Sequence, residues 1–211
     1  MGAAGFAAAA ALVVTAVWPA VDLALARAAL VPASSAARPA LLALREVFRG
    51  MPYLLLCGTA IVLAVQTLRE RLPANVAWRR LTFVSLTLAL GPGLMVNAGL
   101  KAYSHRPRPV QTMEAGGGDM SFRPFFRFDG ACRSNCSFSS GEAAGAFWTT
   151  GPALLAPPAY RLAATAAALG LGAIVSATRM ALGAHFLSDV AFSALFVLAL
   201  TLFMRRLMRP T

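Results

Sequence analysis

Acidic residues are scarce in this chain: eight Asp and Glu stand against nineteen Lys and Arg, and charged residues together make up 13% of its 211 positions. So little charge, with 58% hydrophobic residues and a mean hydropathy of +0.67, excludes an ordinary soluble domain of this length. No Lys or Arg precedes the first apolar run, Gly2 to Leu25, whereas a secretory signal needs a basic start. We read that run as a retained first helix, with a signal-anchor as the alternative. An internal repeat, a low-complexity tail and an interdomain linker are also lacking. The triplet Gly116-Gly117-Gly118 has no Gly-Lys-Ser/Thr after it, which excludes a P-loop and leaves a turn.

What is present is apolar and segmented. A membrane helix needs about 20 predominantly apolar residues, and six stretches qualify: 3–26, 51–68, 81–100, 140–157, 161–178 and 187–204. They predict an all-α integral membrane bundle of about six transmembrane helices, a single domain over residues 1–211. Loops 27–50, 101–139 and 179–186 then share one membrane face. Loops 69–80 and 158–160 share the other with both termini. Segment 27–50, with Pro32, Pro39 and scattered Arg, is a candidate interfacial helix.

A net charge of +11 raises the question of nucleic acid, but the basic residues lie between or at the ends of apolar stretches, where they meet lipid headgroups or an anionic substrate. Membrane lipids are therefore the expected surroundings, with no nucleic-acid partner. The short loop with Arg69, Arg71, Arg79 and Arg80 and the tail with Arg205, Arg206 and Arg209 concentrate positive charge on the second face, which marks it as cytoplasmic. Cys57 lies in an apolar stretch and is read as packing, while Cys132 and Cys136 lie in the longest polar loop and are a candidate disulfide. Such a bond suits placement of that loop outside the cytoplasm. A spacing of four closes a small ring, so the bond and free thiols both stay open.

Three clusters fall at ends of apolar stretches on the same expected face: Lys101 to Pro109, Ser137 to Glu142, and Arg179 to Asp189. His185 and Asp189 are four apart, so on a helix the carboxylate would hold one imidazole nitrogen and leave the other free to attack. Phosphoryl transfer needs positive charge and N–H donors around the phosphate oxygens. Lys101, Arg108 and Arg179 are the candidate cations. Ser140 and Gly141 open a helix whose free N–H groups form an anion site; Ser139-x-x-Glu142 reads equally as a capping box.

The pattern Lys101, six residues, Arg108-Pro109, then Ser140-Gly141, then Arg179, five residues, His185, three residues, Asp189 resembles the type 2 phosphatidic acid phosphatase (PAP2) superfamily. The resemblance implies a membrane phosphatase that forms a phosphohistidine on His185 and hydrolyses it, with no metal and no other cofactor. Thr178 stands where the superfamily commonly has Ser. Glu142 stands where it commonly has the His that protonates the leaving oxygen, so Glu142 is the candidate general acid, with His105 a second. The form Cys136-Ser-Phe-x-Ser-Gly-Glu142 looks like the lipid A 4′-phosphatase branch. The expected reaction is hydrolysis of a phosphomonoester on a lipid A-like phosphoglycolipid at an inner membrane, with the site facing the periplasm or exterior. Alternatives are a polyprenyl diphosphate or phosphatidylglycerol phosphate phosphatase, and a non-catalytic phospholipid-binding or transport protein.

Overall fold

The computed structural model describes residues 1–210, and among them regular structure is helical. Helix α1 runs Gly2–Val17 and α2 Pro19–Ala29, with a bend of 111° between them. The expected continuous helix over 3–26 is therefore corrected. Pro19 has no N–H to continue a helical ladder and keeps the residue before it out of the helical region; Trp18 adopts φ −127° and ψ 80°. The turn lays α2 against the end of the bundle with Asp22 fully buried.

Helix α3 runs Arg38–Leu68 without a break, so the candidate interfacial helix and the second apolar stretch are one element. Its 31 residues reach roughly 46 Å at 1.5 Å each, against about 30 Å of hydrocarbon. The first turns, with Arg38, Arg45 and Arg49, extend beyond an apolar layer of that depth. Helix α4, Ala74–Leu88, continues as a π-helical segment, Ala89–Leu100, and a last turn α5, Lys101–Tyr103. Pro92 lies inside the widened segment, and its carbonyl accepts a hydrogen bond from the Asn97 side chain at 2.7 Å. Local adjustment around a proline is the usual origin of such widening.

The fourth apolar stretch, 140–157, forms two short helices, α6 Gly141–Trp148 and α7 Thr150–Leu154, of 8 and 5 residues. Every residue from Ala143 to Trp148 is buried. The indole N–H of Trp148 donates to the Val84 carbonyl and to Thr87 Oγ1, each at 3.0 Å, so α6 lies at the centre of the bundle rather than against lipid. Helices α8, Pro158–Ala181, and α9, Leu187–Met208, complete the fold. Four helical runs, Arg38–Leu68, Ala74–Tyr103, Pro158–Ala181 and Leu187–Met208, are long and apolar enough to cross a membrane, and the bent α1–α2 pair makes five if counted as one span. The stretch expected to supply a sixth span, 140–157, is broken into helices of 8 and 5 residues, each too short to be counted by itself.

The loops assigned to one face do meet. Val31 N–H donates to the Ala181 carbonyl at 2.8 Å, Val110 N–H to Gly183 at 3.1 Å, and Ser137 N–H to Arg106 at 2.8 Å. At the other end, Arg79 donates to the Met208 and Arg209 carbonyls and Arg80 to that of Pro210. Many large apolar side chains of the long helices, such as Leu54, Ile61, Leu162 and Phe203, are exposed, as a lipid-facing surface requires.

Helix α8 packs on α6 through Gly172, where an added Cβ would collide with the Phe147 ring; at Gly170, on the same helix, a Cβ meets nothing within 4 Å. Gly172→Ala is expected to destabilise the detergent-solubilised protein by about 1–3 kcal/mol, the usual effect of overpacking. Gly170→Ala is expected to be neutral or slightly stabilising through helix propensity. Thermal unfolding followed by tryptophan fluorescence checks both, and equal midpoints for the two variants would contradict the α6–α8 packing.

Candidate active site

The site is built on a buried arginine. Arg106 has no solvent exposure, and an unpaired guanidinium there would be strongly unfavourable. It is fully engaged: Nη1 donates to Asp189 Oδ1 at 2.5 Å and Ser188 Oγ at 2.7 Å, Nη2 to Asp22 Oδ2 at 2.7 Å, and Nε to the Arg123 carbonyl at 2.8 Å. The Phe186 and Phe122 rings lie 4.2 and 5.5 Å from its central carbon, favourable for a planar cation. Asp22 also receives the Ser188 backbone N–H at 3.0 Å. One side chain thus joins α2, the long loop and the start of α9.

His185 lies just before α9 in a turn set by Gly183, whose φ of +67° and close approach to Val110 and Leu30 suit glycine alone. Asp189 occupies the third position of α9 and accepts the Phe186 N–H at 2.8 Å, so the two residues do not share a helix face as their spacing predicted. The His185 ring is buried, with Nδ1 2.8 Å from the Ser137 carbonyl and 3.6 Å from Asp189 Oδ2. The hydrogen bond that sets the ring therefore goes to Ser137, whose hydroxyl in turn donates to Asp189 Oδ2 at 2.5 Å. A carbonyl oxygen only accepts, so Nδ1 carries the hydrogen and Nε2 keeps its lone pair. Burial, reinforced by the charges of Arg179 and Arg108 and opposed by Asp189, lowers the imidazole pKa to about 4. At neutral pH the ring is uncharged.

The cations come from three elements. Lys101 ends the π-helical span, Arg108 leaves it in the long loop, and Arg179 lies in the last turn of α8. A Cβ at Gly141 would lie 3.0 Å from Lys101 Nζ and would overlap Asn97 Oδ1, so glycine lets the start of α6 come up to the cation. Arg108 is held by Asn135, donating to its backbone carbonyl at 3.0 Å and its side-chain oxygen at 2.8 Å. Burial pushes the Arg108 pKa below its usual value, yet a guanidinium keeps its charge near neutrality. Arg179 is 6% exposed and its Nε has no partner among the described residues, an unused donor of the kind that an anion satisfies.

At the start of α6 the cap is Ser140, whose Oγ accepts the Ala143 N–H at 3.3 Å. The Ser139–Glu142 capping box does not form: Ser139 Oγ is buried without a partner among the described residues, and Glu142 turns to other groups. Glu142 pairs with Arg45 of α3 at 3.1 Å and Arg179 at 3.5 Å. One of its oxygens faces Arg45 and the other faces Arg179. His105, the second candidate acid, has φ +50° and its Nδ1 lies 3.0 Å from the Cys132 carbonyl, which ties it to the loop. Cys132 and Cys136 are joined by a disulfide, with Cα atoms 5.7 Å apart.

Asp22, Arg106, Arg45, Ser137 and Asn135 had no role in the sequence reading. Asp22 carried a signal, since it is the only acid in the first apolar run, and an ionisable residue in such a run is functional by default. Arg106 and Ser137 lay inside recognised clusters but without a spacing rule of their own. Arg45 and Asn135 come from elements whose proximity only the fold supplies.

A family model described as "PAP2 superfamily" matches residues 80–210. Among curated proteins, the "Lipid A 4'-phosphatase" of Rhizobium leguminosarum is 44% identical over 104 residues, covering 49% of this chain and 44% of that protein. That of Francisella tularensis subsp. novicida (strain U112) is 41% identical over 116 residues, 54% and 52% of the two chains. The protein of that name from Rhizobium etli is 38% identical over 152 residues, 70% and 57%. The chain spans about half the length of the curated relatives it matches. No solved structure matches.

Removing Asp22 would leave Arg106 buried and half-paired. Asp22→Ala is expected to destabilise the protein by about 1–3 kcal/mol, because Arg106 Nη2 and the Ser188 N–H and hydroxyl lose their buried acceptor while Asp189 still balances the guanidinium. Thermal unfolding in detergent measures this, and a wild-type midpoint would show that Asp22 is not part of what holds Arg106.

Proposed function

The chain belongs to the PAP2 superfamily, and on that premise we propose that it is a membrane lipid phosphatase that hydrolyses a phosphomonoester of a lipid A-like phosphoglycolipid through a phosphohistidine on His185. The observation that carries the proposal is the buried neutral imidazole, with Nδ1–H fixed on the Ser137 carbonyl and Nε2 free, in the field of Arg108 and Arg179, which also act on Lys101 at the start of α6. The substrate class is supported by the curated relatives named for lipid A, and by the Glu142 variant of the second motif.

In this mechanism Nε2 attacks phosphorus, the P–N bond forms and the bond to the lipid oxygen breaks. The ring becomes positively charged, and the nearby Asp189 carboxylate stabilises it while the Ser137 carbonyl keeps Nδ1–H in place. Lys101, Arg108, Arg179 and the backbone N–H groups from Gly141 on, at the start of α6, bind the non-bridging oxygens, where negative charge is concentrated; the Ser140 N–H itself donates to the Asp189 carbonyl. Water then attacks phosphorus while Glu142 takes up its proton, the P–N bond breaks, and inorganic phosphate leaves with the histidine and Glu142 restored. In the first step the leaving sugar oxygen takes its proton from Glu142, the carboxyl group at the start of α6 beside Arg45 and Arg179. The site opens toward the periplasm or exterior, on the face opposite the Arg79, Arg80 and Arg205 cluster.

Purified protein offered a phosphorylated glycolipid is expected to release inorganic phosphate, and His185→Ala to abolish release. The kcat/KM of the wild type is expected to fall as pH drops through about 4, because only the unprotonated ring attacks and burial lowers its pKa to about 4. Full activity in His185→Ala would remove His185 as the nucleophile, and an acidic limb near the ordinary histidine pKa of about 6.5 would show that burial does not lower the pKa of the attacking ring.

Glu142→Gln separates the acid role from the pairing role. It is expected to slow release from a sugar phosphate by about 100-fold or more, the range for a general acid, and to spare a diphosphate, whose leaving group needs no proton. Equal loss on both substrates would assign Glu142 to holding Arg179 and Arg45 instead.

A further inference from the structure

The Cys132–Cys136 bond closes a ring of five residues in the long loop. Its base is buried and tied to the site: Cys132 N–H donates to the His105 carbonyl at 3.1 Å, and Ser137, immediately after the ring, supplies the carbonyl that holds His185. Its crown, Arg133, Ser134 and Asn135, is exposed. Asn135, at φ +49°, turns its backbone carbonyl and its side-chain oxygen onto Arg108. The same three residues, with Asn97, Lys101 and Ala102, line a cleft of about 460 Å³. The cleft shares Lys101 with the phosphate site, and its only charged lining groups are Lys101 and Arg133. Among the described residues no carboxylate pairs with either. The loop cations that pair with carboxylates are Arg106, with Asp22 and Asp189, and Arg123 and Arg127, with Asp129, which leaves Arg133 uncompensated.

A cation on a short closed ring loses less freedom on binding than one on an open loop, so more of its attraction appears as affinity. A single phosphoryl group already has three cations and a helix start assigned to it. A fourth cation across an adjoining cleft calls for a second anion.

We propose that the Cys132–Cys136 ring is a headgroup-recognition element: Asn135 fixes Arg108 at the phosphate, and Arg133 receives a second anionic group, a phosphate or a carboxylate, carried by the same headgroup. The proposal rests on the phosphatase reading above and names the substrate class more narrowly, as a lipid with an anion beyond the phosphate that is removed.

The test uses three glycolipids with one acyl pattern and one scissile sugar phosphate: the first with no further charge, the second with another phosphate, the third with a carboxylate-bearing sugar. Their kcat/KM values are compared for wild type and Arg133→Ala, an exposed site where the substitution does not disturb packing. The wild type is expected to prefer at least one doubly anionic lipid. Arg133→Ala is expected to cut that preference about tenfold through KM, the size of a lost hydrogen bond between charged groups. Which lipid loses its preference distinguishes phosphate from carboxylate. Reduction of the Cys132–Cys136 bond, with thiols counted by alkylation, is expected to cut the preference in the same direction. A preference that is absent in the wild type, unmoved in Arg133→Ala, or unmoved on reduction would overturn the proposal. Should the wild type release phosphate from none of the lipids, the phosphatase reading fails. Equilibrium binding of the same three lipids then decides: a preference for a doubly anionic lipid that Arg133→Ala removes supports the ring, and equal binding overturns it.

Discussion

The buried pairing of Arg106 with Asp22 and Asp189 is the constraint on which the site depends. Replacing a buried ion pair by apolar groups is often neutral or stabilising, so the network is not explained by stability alone. What it supplies is placement. Asp22 is on α2, Arg106 on the loop that also carries Arg108, and Asp189 on α9 next to the nucleophile's turn. If any one of these elements shifts, a charge is left unpaired in a dry environment, and the alternatives to the observed arrangement become costly. The bend at Pro19 follows from the same requirement, because a straight helix over 3–26 would carry Asp22 along the bundle axis instead of onto its end.

The network also sets the electrostatics of the pocket. One guanidinium between two carboxylates leaves a negative charge buried behind His185. Lys101, Arg108, Arg179 and Arg45 lie on the other side, with Glu142 between them. The imidazole therefore sits between an anionic floor and a cationic rim. In the proposed reaction, burial keeps it neutral before attack and the floor favours the positive ring that attack would create. Asp189 serves this arrangement through Ser137 and through the α9 turn; the direct hydrogen bond on Nδ1 is a backbone carbonyl, which cannot take the proton away.

The three clusters were singled out because phosphate chemistry favours cations, a glycine at a helix start and a histidine, and the fold brings Gly141 to Lys101 and Arg179 to Glu142. The long helices were legible because an apolar run of about twenty residues matches the thickness of a bilayer core and is rare in a soluble chain. The failures have separate causes. A hydropathy window averages over Pro19 and Asp22 and so missed the bend. Composition does not distinguish α6, enclosed by other helices, from a helix that faces lipid. The spacing of four between His185 and Asp189 was read as one helix face, but Gly183 ends α8 in a left-handed turn and puts His185 outside α9. Arg45 was invisible for a simpler reason: its partner Glu142 is 97 positions away.

The pocket also holds polar groups that its own residues do not satisfy. Arg179 Nε and Ser139 Oγ are buried without partners among the described residues, and each such group costs about 1–3 kcal/mol when its hydrogen bond is left unmade. Both flank the start of α6, where the free backbone N–H groups add further unused donors. A site that leaves donors unpaired binds whatever satisfies them together, and a tetrahedral oxyanion presents several acceptor oxygens within one small volume. The ion pair with Glu142 does not remove the need, since at 3.5 Å it engages one end of the Arg179 guanidinium and leaves Nε free. The unsatisfied donors thus favour an oxyanion at the start of α6, which is the occupant that the proposed reaction calls for.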